Sequence, residues 1–143
     1  MGFALPAAIG ARFGAPDREV VAIIGDGGFQ MTLQELGTIM QFGINVKIII
    51  LNNNFLGMVR QWQELFHDRR YSSVDIERPD FVKLAEAYRI RARCVSERKD
   101  LESAIREMFA NDDAYLLEVK VGKENNVFPM IPQGCGIGEI RLR

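Results

Sequence analysis

The sequence predicts an α/β domain, a parallel sheet flanked by helices. Two apolar runs, Val20 to Ile24 and Val46 to Leu51, are rich in Val and Ile and do not alternate with polar residues, which suits strands buried on both faces. A single helix-length segment separates them. Each run stops abruptly, in Gly25-Asp26-Gly27 after the first and Asn52-Asn53-Asn54 after the second. Strand, helix, strand in that order is a βαβ crossover. Such crossovers are nearly always right-handed, and both strands then end on one sheet edge, where open α/β sheets bind their ligands.

The remaining elements follow in chain order. Leu5 to Phe13 reads as a short helix with Pro6 in its first turn and Ala7, Ala8 and Ile9 packed on the sheet. Glu19 to Gly25 is the first strand. Thr32-Leu33-Gln34-Glu35 has the capping-box pattern, Leu36, Ile39 and Met40 share a helical face, and Gly43 is a stop. After Asn53 a second helix runs from Leu56 to Phe66, with apolar stripes Met58, Trp62, Leu65 and Val59, Trp62, Phe66. A stripe of this kind is most often core, but this helix starts at the sheet edge and its first turns must border whatever binds there.

His67, the only histidine, ends that helix beside Asp68, Arg69 and Arg70 and reads as a solvated helix end rather than a general base. Arg60, Arg69 and Arg70 could meet a carboxylate, although charges on an exposed face need no such role. Asp80 caps a helix with Phe81, Leu84, Ala85 and Tyr88 inward, and Arg91 to Val95 is a short strand. Leu101, Ile105, Met108 and Phe109 form the apolar face of a further helix, and Tyr115 to Val121 is the last strand. Residues 122–143 form an irregular tail whose apolar Val127-Phe128-Pro129-Met130-Ile131 is expected to pack against the body, because exposing it is unfavourable. The expected division is a body of 1–121 and a tail of 122–143.

Composition bounds the function. With 143 residues and 48% hydrophobic content the chain is one domain with a sizeable core. A formal charge of −1 offers no electrostatic footprint for nucleic acid or an acidic membrane. No apolar run approaches the roughly 20 residues that span a bilayer, and there is no secretory signal pattern. Cys94 and Cys135 are far apart and lack metal-ligand spacing, so a reduced, cytoplasmic setting is expected.

Asp26 and Asn53, carried on neighbouring strand tips with no His or Cys nearby, form a hard-oxygen set that suits Mg²⁺ or Ca²⁺ better than zinc. Magnesium usually takes phosphate oxygens as further ligands. Gly25, Gly27 and Gly28 let backbone approach such a phosphate, and the helix N-terminus that follows attracts anions. The residues therefore point to a metal-diphosphate site. A Rossmann fingerprint fails, since the third Gly of G-x-G-x-x-G falls at Gln30, and a Walker motif fails for want of Gly-Lys-Ser/Thr.

Gly25-Asp26-Gly27 followed after 24 residues by Asn52-Asn53 resembles the thiamine diphosphate signature. Met1 to Ala11, Met31 to Leu36, Leu56 to Gln63 and Val127 to Pro132 together resemble the C-terminal cofactor domain of the acetolactate synthase catalytic subunit; beyond Gly134 the match fades. The resemblance implies a thiamine diphosphate- and Mg²⁺-dependent condensation of pyruvate with a second 2-oxo acid, pyruvate or 2-oxobutanoate. Carbon dioxide is lost, and the reaction serves branched-chain amino acid biosynthesis.

It further implies Asp26, Asn53 and the backbone carbonyl of Phe55 as metal ligands. Gly25, Gly27 and Gly28 meet the diphosphate, with Met1 under the cofactor and Met58 beside it. Met58, Val59 and Trp62 would line the substrate pocket. By the same resemblance Trp62 would favour the larger acceptor and matches a position of herbicide resistance, and the tail would help close the site.

The activating glutamate of the family lies in an N-terminal domain and FAD mostly in a middle domain. No residue here matches that glutamate, so the resemblance implies a C-terminal piece of a longer polypeptide or a split subunit, inactive alone. The whole enzyme would be a homodimer or larger, with a small regulatory subunit. Glyoxylate carboligase, pyruvate oxidase and 2-oxo acid decarboxylases share the same signature and remain alternatives, as does a truncated product without function.

Overall fold

The computed structural model describes residues 1–77 and 79–142. Its centre is a four-stranded, all-parallel sheet of β1 (Val21–Gly25), β2 (Lys47–Asn52), β3 (Arg91–Val95) and β4 (Tyr115–Lys120), in the order β1-β2-β4-β3. The helices are α1 (Ala4–Gly14), α2 (Asp26–Gln30), α3 (Leu36–Phe42), α4 (Gly57–Phe66), α5 (Phe81–Ala87) and α6 (Arg98–Ala110). The expected parallel α/β architecture is what the chain adopts.

One face of the sheet carries the main core: Ala22, Ile24, Ile48, Ile50 and Leu116 pack with Leu5 and Ile9 of α1, Phe29 of α2, Leu36 and Ile39 of α3, and Phe81 and Ala85 of α5. Phe29 and Phe81 meet edge to face, ring centroids 5.5 Å apart. On the other face Ala104 and Met108 of α6 cover Val95, Tyr115 and Leu117. That cover does not reach β1. Val21 and Ile23 stay exposed, Ile23 at 63%, and β1 alternates exposed and buried instead of being buried on both faces as expected. The reason is position: β1 is an edge strand, and α6 packs on β3 and β4.

Gly43 ends α3 with φ 58°, the left-handed conformation that favours glycine. Asp80 caps α5, its Oδ1 accepting from the Lys83 N–H at 3.1 Å. The capping box at Thr32 does not form. The Thr32 hydroxyl donates instead to the Gly2 carbonyl at 3.1 Å, and Glu35 accepts from Thr38 at 2.8 Å, so a short 3₁₀ turn, Leu33–Glu35, leads into α3. Met40 and Phe109, expected inward, are 45% and 46% exposed. α2 begins at Asp26 itself, a short helix ahead of the one expected from Thr32 onward.

α4 holds the largest unforeseen feature, a buried polar face beside the apolar stripe that was expected to border the site. Its apolar stripe faces outward, with Met58 52% and Val59 45% exposed, while Arg60 and Gln61 are buried at 0% and 1%. These two polar side chains hold the tail. Gln61 pairs with the Val127 backbone from both ends, its Nε2 donating to the carbonyl at 3.0 Å and its Oε1 accepting the N–H at 2.7 Å. Arg60 donates to Asn126, to Glu64 at 2.7 Å and to the Tyr71 hydroxyl at 3.3 Å. Further along, the tail folds back through a Met130 to Arg141 bridge, and the Arg141 guanidinium lies 5.1 Å from the Phe66 ring centre. The tail is tied to the body, but its apolar segment is only partly covered: Val127 is 61% and Ile131 44% exposed.

Candidate metal and diphosphate site

The register of β1 against β2 pairs Gly25 with Leu51, so the polar residues that follow each strand leave the same sheet edge side by side. Asp26 begins α2 with its carboxylate 1% exposed. Its Oδ1 accepts from the Gly27 N–H at 2.9 Å and its Oδ2 from the Asn54 N–H at 2.8 Å, which ties the first strand tip to the second.

The turn after β2 is built from its own asparagines. Asn53 Oδ1 accepts from the Phe55 N–H at 3.0 Å and Asn52 Oδ1 from the Asn54 N–H at 3.1 Å. Each is an Asx-type contact two residues on. Asn54 sits at φ 58°, a conformation asparagine tolerates better than most residues.

A cavity of about 680 Å³ opens between the strand tips, α4 and the tail, within the range of small-molecule sites. It brings together the residues singled out from the sequence: Met1, Gly25, Asp26, Gly27, Gly28, Asn53, Phe55, Met58 and Val59 all line it. Met1 is 74% exposed and reaches its rim. Trp62 is not among the lining residues; its ring packs against Phe66, centroids 5.0 Å apart. Asn125 and Val127 of the tail also line the cavity; the tail was expected to help close the site, but neither residue was named as lining it.

The donor chemistry fits a hard cation. Among the described residues no cluster of three His, Cys, Asp or Glu side chains could hold a metal. A cation at Asp26 would have to draw its other ligands from amide, carbonyl, phosphate and water oxygens, a donor set that suits Mg²⁺. The glycines leave room for a bulky anion: a Cβ at Gly25 would project into open space, and one at Gly28 would meet only Ile24 at 3.5 Å. The expected helix-end attraction for phosphate is weaker than the sequence suggested. α2 has five residues, and its Gly27 N–H is already engaged by Asp26.

Residues 1–119 match the family of the thiamine pyrophosphate enzyme C-terminal TPP binding domain. The chain belongs to that family. Within it, this TPP-binding domain is 43% identical over 141 residues to the acetolactate synthase isozyme 2 large subunit of Escherichia coli K12, covering 98% of this chain and 26% of that protein. It is 48% identical over 142 residues to the mitochondrial acetolactate synthase of Schizosaccharomyces pombe, covering 99% and 21%.

Among solved structures, the thiamine diphosphate-dependent 4-hydroxybenzoylformate decarboxylase of Rhodococcus jostii RHA1 superposes with a TM-score of 0.79 at 37% identity, covering 85% of this chain and 23% of that one. The chain thus spans about a quarter of the length of these relatives.

Proposed function

We propose that this TPP-binding domain supplies the metal and diphosphate part of an acetolactate synthase, which joins pyruvate to a second 2-oxo acid, pyruvate or 2-oxobutanoate, with loss of CO₂ in branched-chain amino acid synthesis. The observation that carries the reading is the meeting of Asp26 and Asn53 on one cavity, on a chain 43% to 48% identical to acetolactate synthases along nearly its whole length. Thiamine diphosphate, when bound, supplies the electron sink for decarboxylation and carbon–carbon bond formation.

In this reading Asp26, Asn53 and the Phe55 carbonyl hold Mg²⁺, and through it the diphosphate. Gly25, Gly27 and Gly28 admit the diphosphate to the backbone, and Met1 and Met58 give the rings an apolar rest. Met58 and Val59 border the 2-oxo acid; Trp62, one turn further along α4 and packed on Phe66, lies outside the cavity lining. The tail segment held by Arg60 and Gln61 covers the cavity and excludes water from it. Residues 1–121 form the cofactor domain and 122–143 the closing tail. The carboxylate that activates the cofactor, the FAD site, the second catalytic subunit and a small regulatory subunit are supplied by other polypeptide segments, in the cytoplasm.

A 2-oxo acid decarboxylase is the second reading, favoured by the likeness to the Rhodococcus enzyme; its 37% identity over 85% of the chain makes it the weaker of the two. Substituting this chain for the matching segment of an acetolactate synthase large subunit and analysing the product from pyruvate tests the choice. Acetolactate supports the first reading, and acetaldehyde as the main product supports the second.

A further inference from the structure

A buried carboxylate stands behind the loop that bears the proposed metal ligands. Glu118, on β4 beside Ile50 of β2, is 2% exposed. The Asn52 amide, itself 3% exposed, donates from Nδ2 to Glu118 Oε1 at 2.6 Å. At its other end Asn52 Oδ1 accepts the Asn54 N–H at 3.1 Å, and that same N–H donates to Asp26 Oδ2 at 2.8 Å. A continuous path of hydrogen bonds thus runs from a strand outside the diphosphate motif to the carboxylate at its centre.

The path has a direction imposed by chemistry. The Asn54 N–H can only donate, so it takes the Asn52 oxygen, and the NH₂ group then left at the other end of the amide needs an acceptor, which Glu118 Oε1 supplies. A flipped amide would set NH₂ against N–H, a repulsive contact that is expensive in a buried setting. Glu118 therefore holds the NH₂ end of Asn52, and Asn52 fixes where the shared Asn54 N–H lies, between its own oxygen and Asp26.

We infer that Glu118 and Asn52 are positioning residues for the Asp26 carboxylate, and that they set the affinity of the site for a divalent cation without touching it. This rests on the reading of Asp26 as a metal ligand. Residues that orient a ligand from outside the coordination shell typically contribute about 10- to 100-fold in metal affinity.

The test titrates Mn²⁺ into the purified chain in the presence of thiamine diphosphate, reads free Mn²⁺ by electron paramagnetic resonance, and follows thermal unfolding of each variant in parallel. Glu118→Ala and Asn52→Ala are expected to weaken Mn²⁺ binding about 10- to 100-fold. Glu118→Gln, which still offers Asn52 a carbonyl oxygen, is expected to recover most of the loss. Asn52→Ala leaves β4 intact and reads the same link if Glu118→Ala fails to fold.

If both alanine variants fold and bind Mn²⁺ as the parent does, while Asp26→Ala does not, the positioning role is overturned and the pair serves only the sheet. If Asp26→Ala also binds as the parent does, or the parent does not bind, the metal-site reading itself falls and takes this inference with it.

Discussion

Gly27 shows how closely the strand tip is built. A Cβ there would lie 2.8 Å from Leu56 Cδ2 and 3.2 Å from Ile76 Cδ1, so two neighbours would have to give way beside Asp26. Gly27→Ala is expected to lower stability by about 1–3 kcal/mol, the usual range for overpacking, measured by urea unfolding. Tyr115 offers a second test at this scale. Its hydroxyl is pushed up to about 12 by burial and by the bond it donates to Glu107 at 2.8 Å. The folded value lies above the unfolded value near 10, so this contribution is complete below pH 10 and is lost as pH rises toward 12. Tyr115→Phe should therefore flatten the alkaline decline in stability between those limits, read from denaturant midpoints.

The residues that line the cavity were legible from spacing, not from type: Gly, Asp and Asn are ordinary turn residues, and only the placing of Asp26 and Asn53 after two buried runs marks them out. Glu118 was not noticed, though one acid inside the apolar run Tyr115 to Val119 was a visible signal.

At the scale of elements, α4 explains why pattern reading reaches only so far. Its stripe of Met58, Val59 and Trp62 was correctly seen as apolar, but periodicity does not say which face turns inward. Arg60 and Gln61 decide it, because their partners, Asn126 and Val127, lie 66 residues further along the chain. No local rule links residues so far apart. The consequence is testable: Gln61→Ala removes both bonds to Val127 and is expected to speed protease cleavage of the tail several-fold while α4 and the sheet stay folded, a loss of about 1–3 kcal/mol of local stability.

The same attachment responds to acid. Bonds from Asn126 and Arg60 hold the Glu64 carboxyl below its usual value. A depressed carboxyl stabilises the fold above its unfolded value and ceases to do so as pH falls through the folded one. Cleavage of the tail should accordingly rise on acidification, and Glu64→Gln should already be cleaved faster at neutral pH.

For the whole molecule, the fold class followed from two buried runs and the helix between them, whereas the strand order β1-β2-β4-β3 did not, since no local pattern says which later strand joins which edge. The uncovered side of β1 was also invisible, for Ile23 and Ile24 look alike in sequence and differ only in which face of an edge strand they occupy. The buried side carries the stability: Ile48→Ala, at a position fully buried beneath the helices, is expected to cost about 2–5 kcal/mol in urea unfolding.

The account depends most on the joint grip of Asp26 and Asn53 on a cation that holds the diphosphate. Calorimetric titration of thiamine diphosphate into the chain, with and without Mg²⁺, for the parent and for Asp26→Ala and Asn53→Ala, measures it most directly. Binding that requires Mg²⁺ and is lost in both variants is the expected result; binding that ignores Mg²⁺ or survives both substitutions would contradict it.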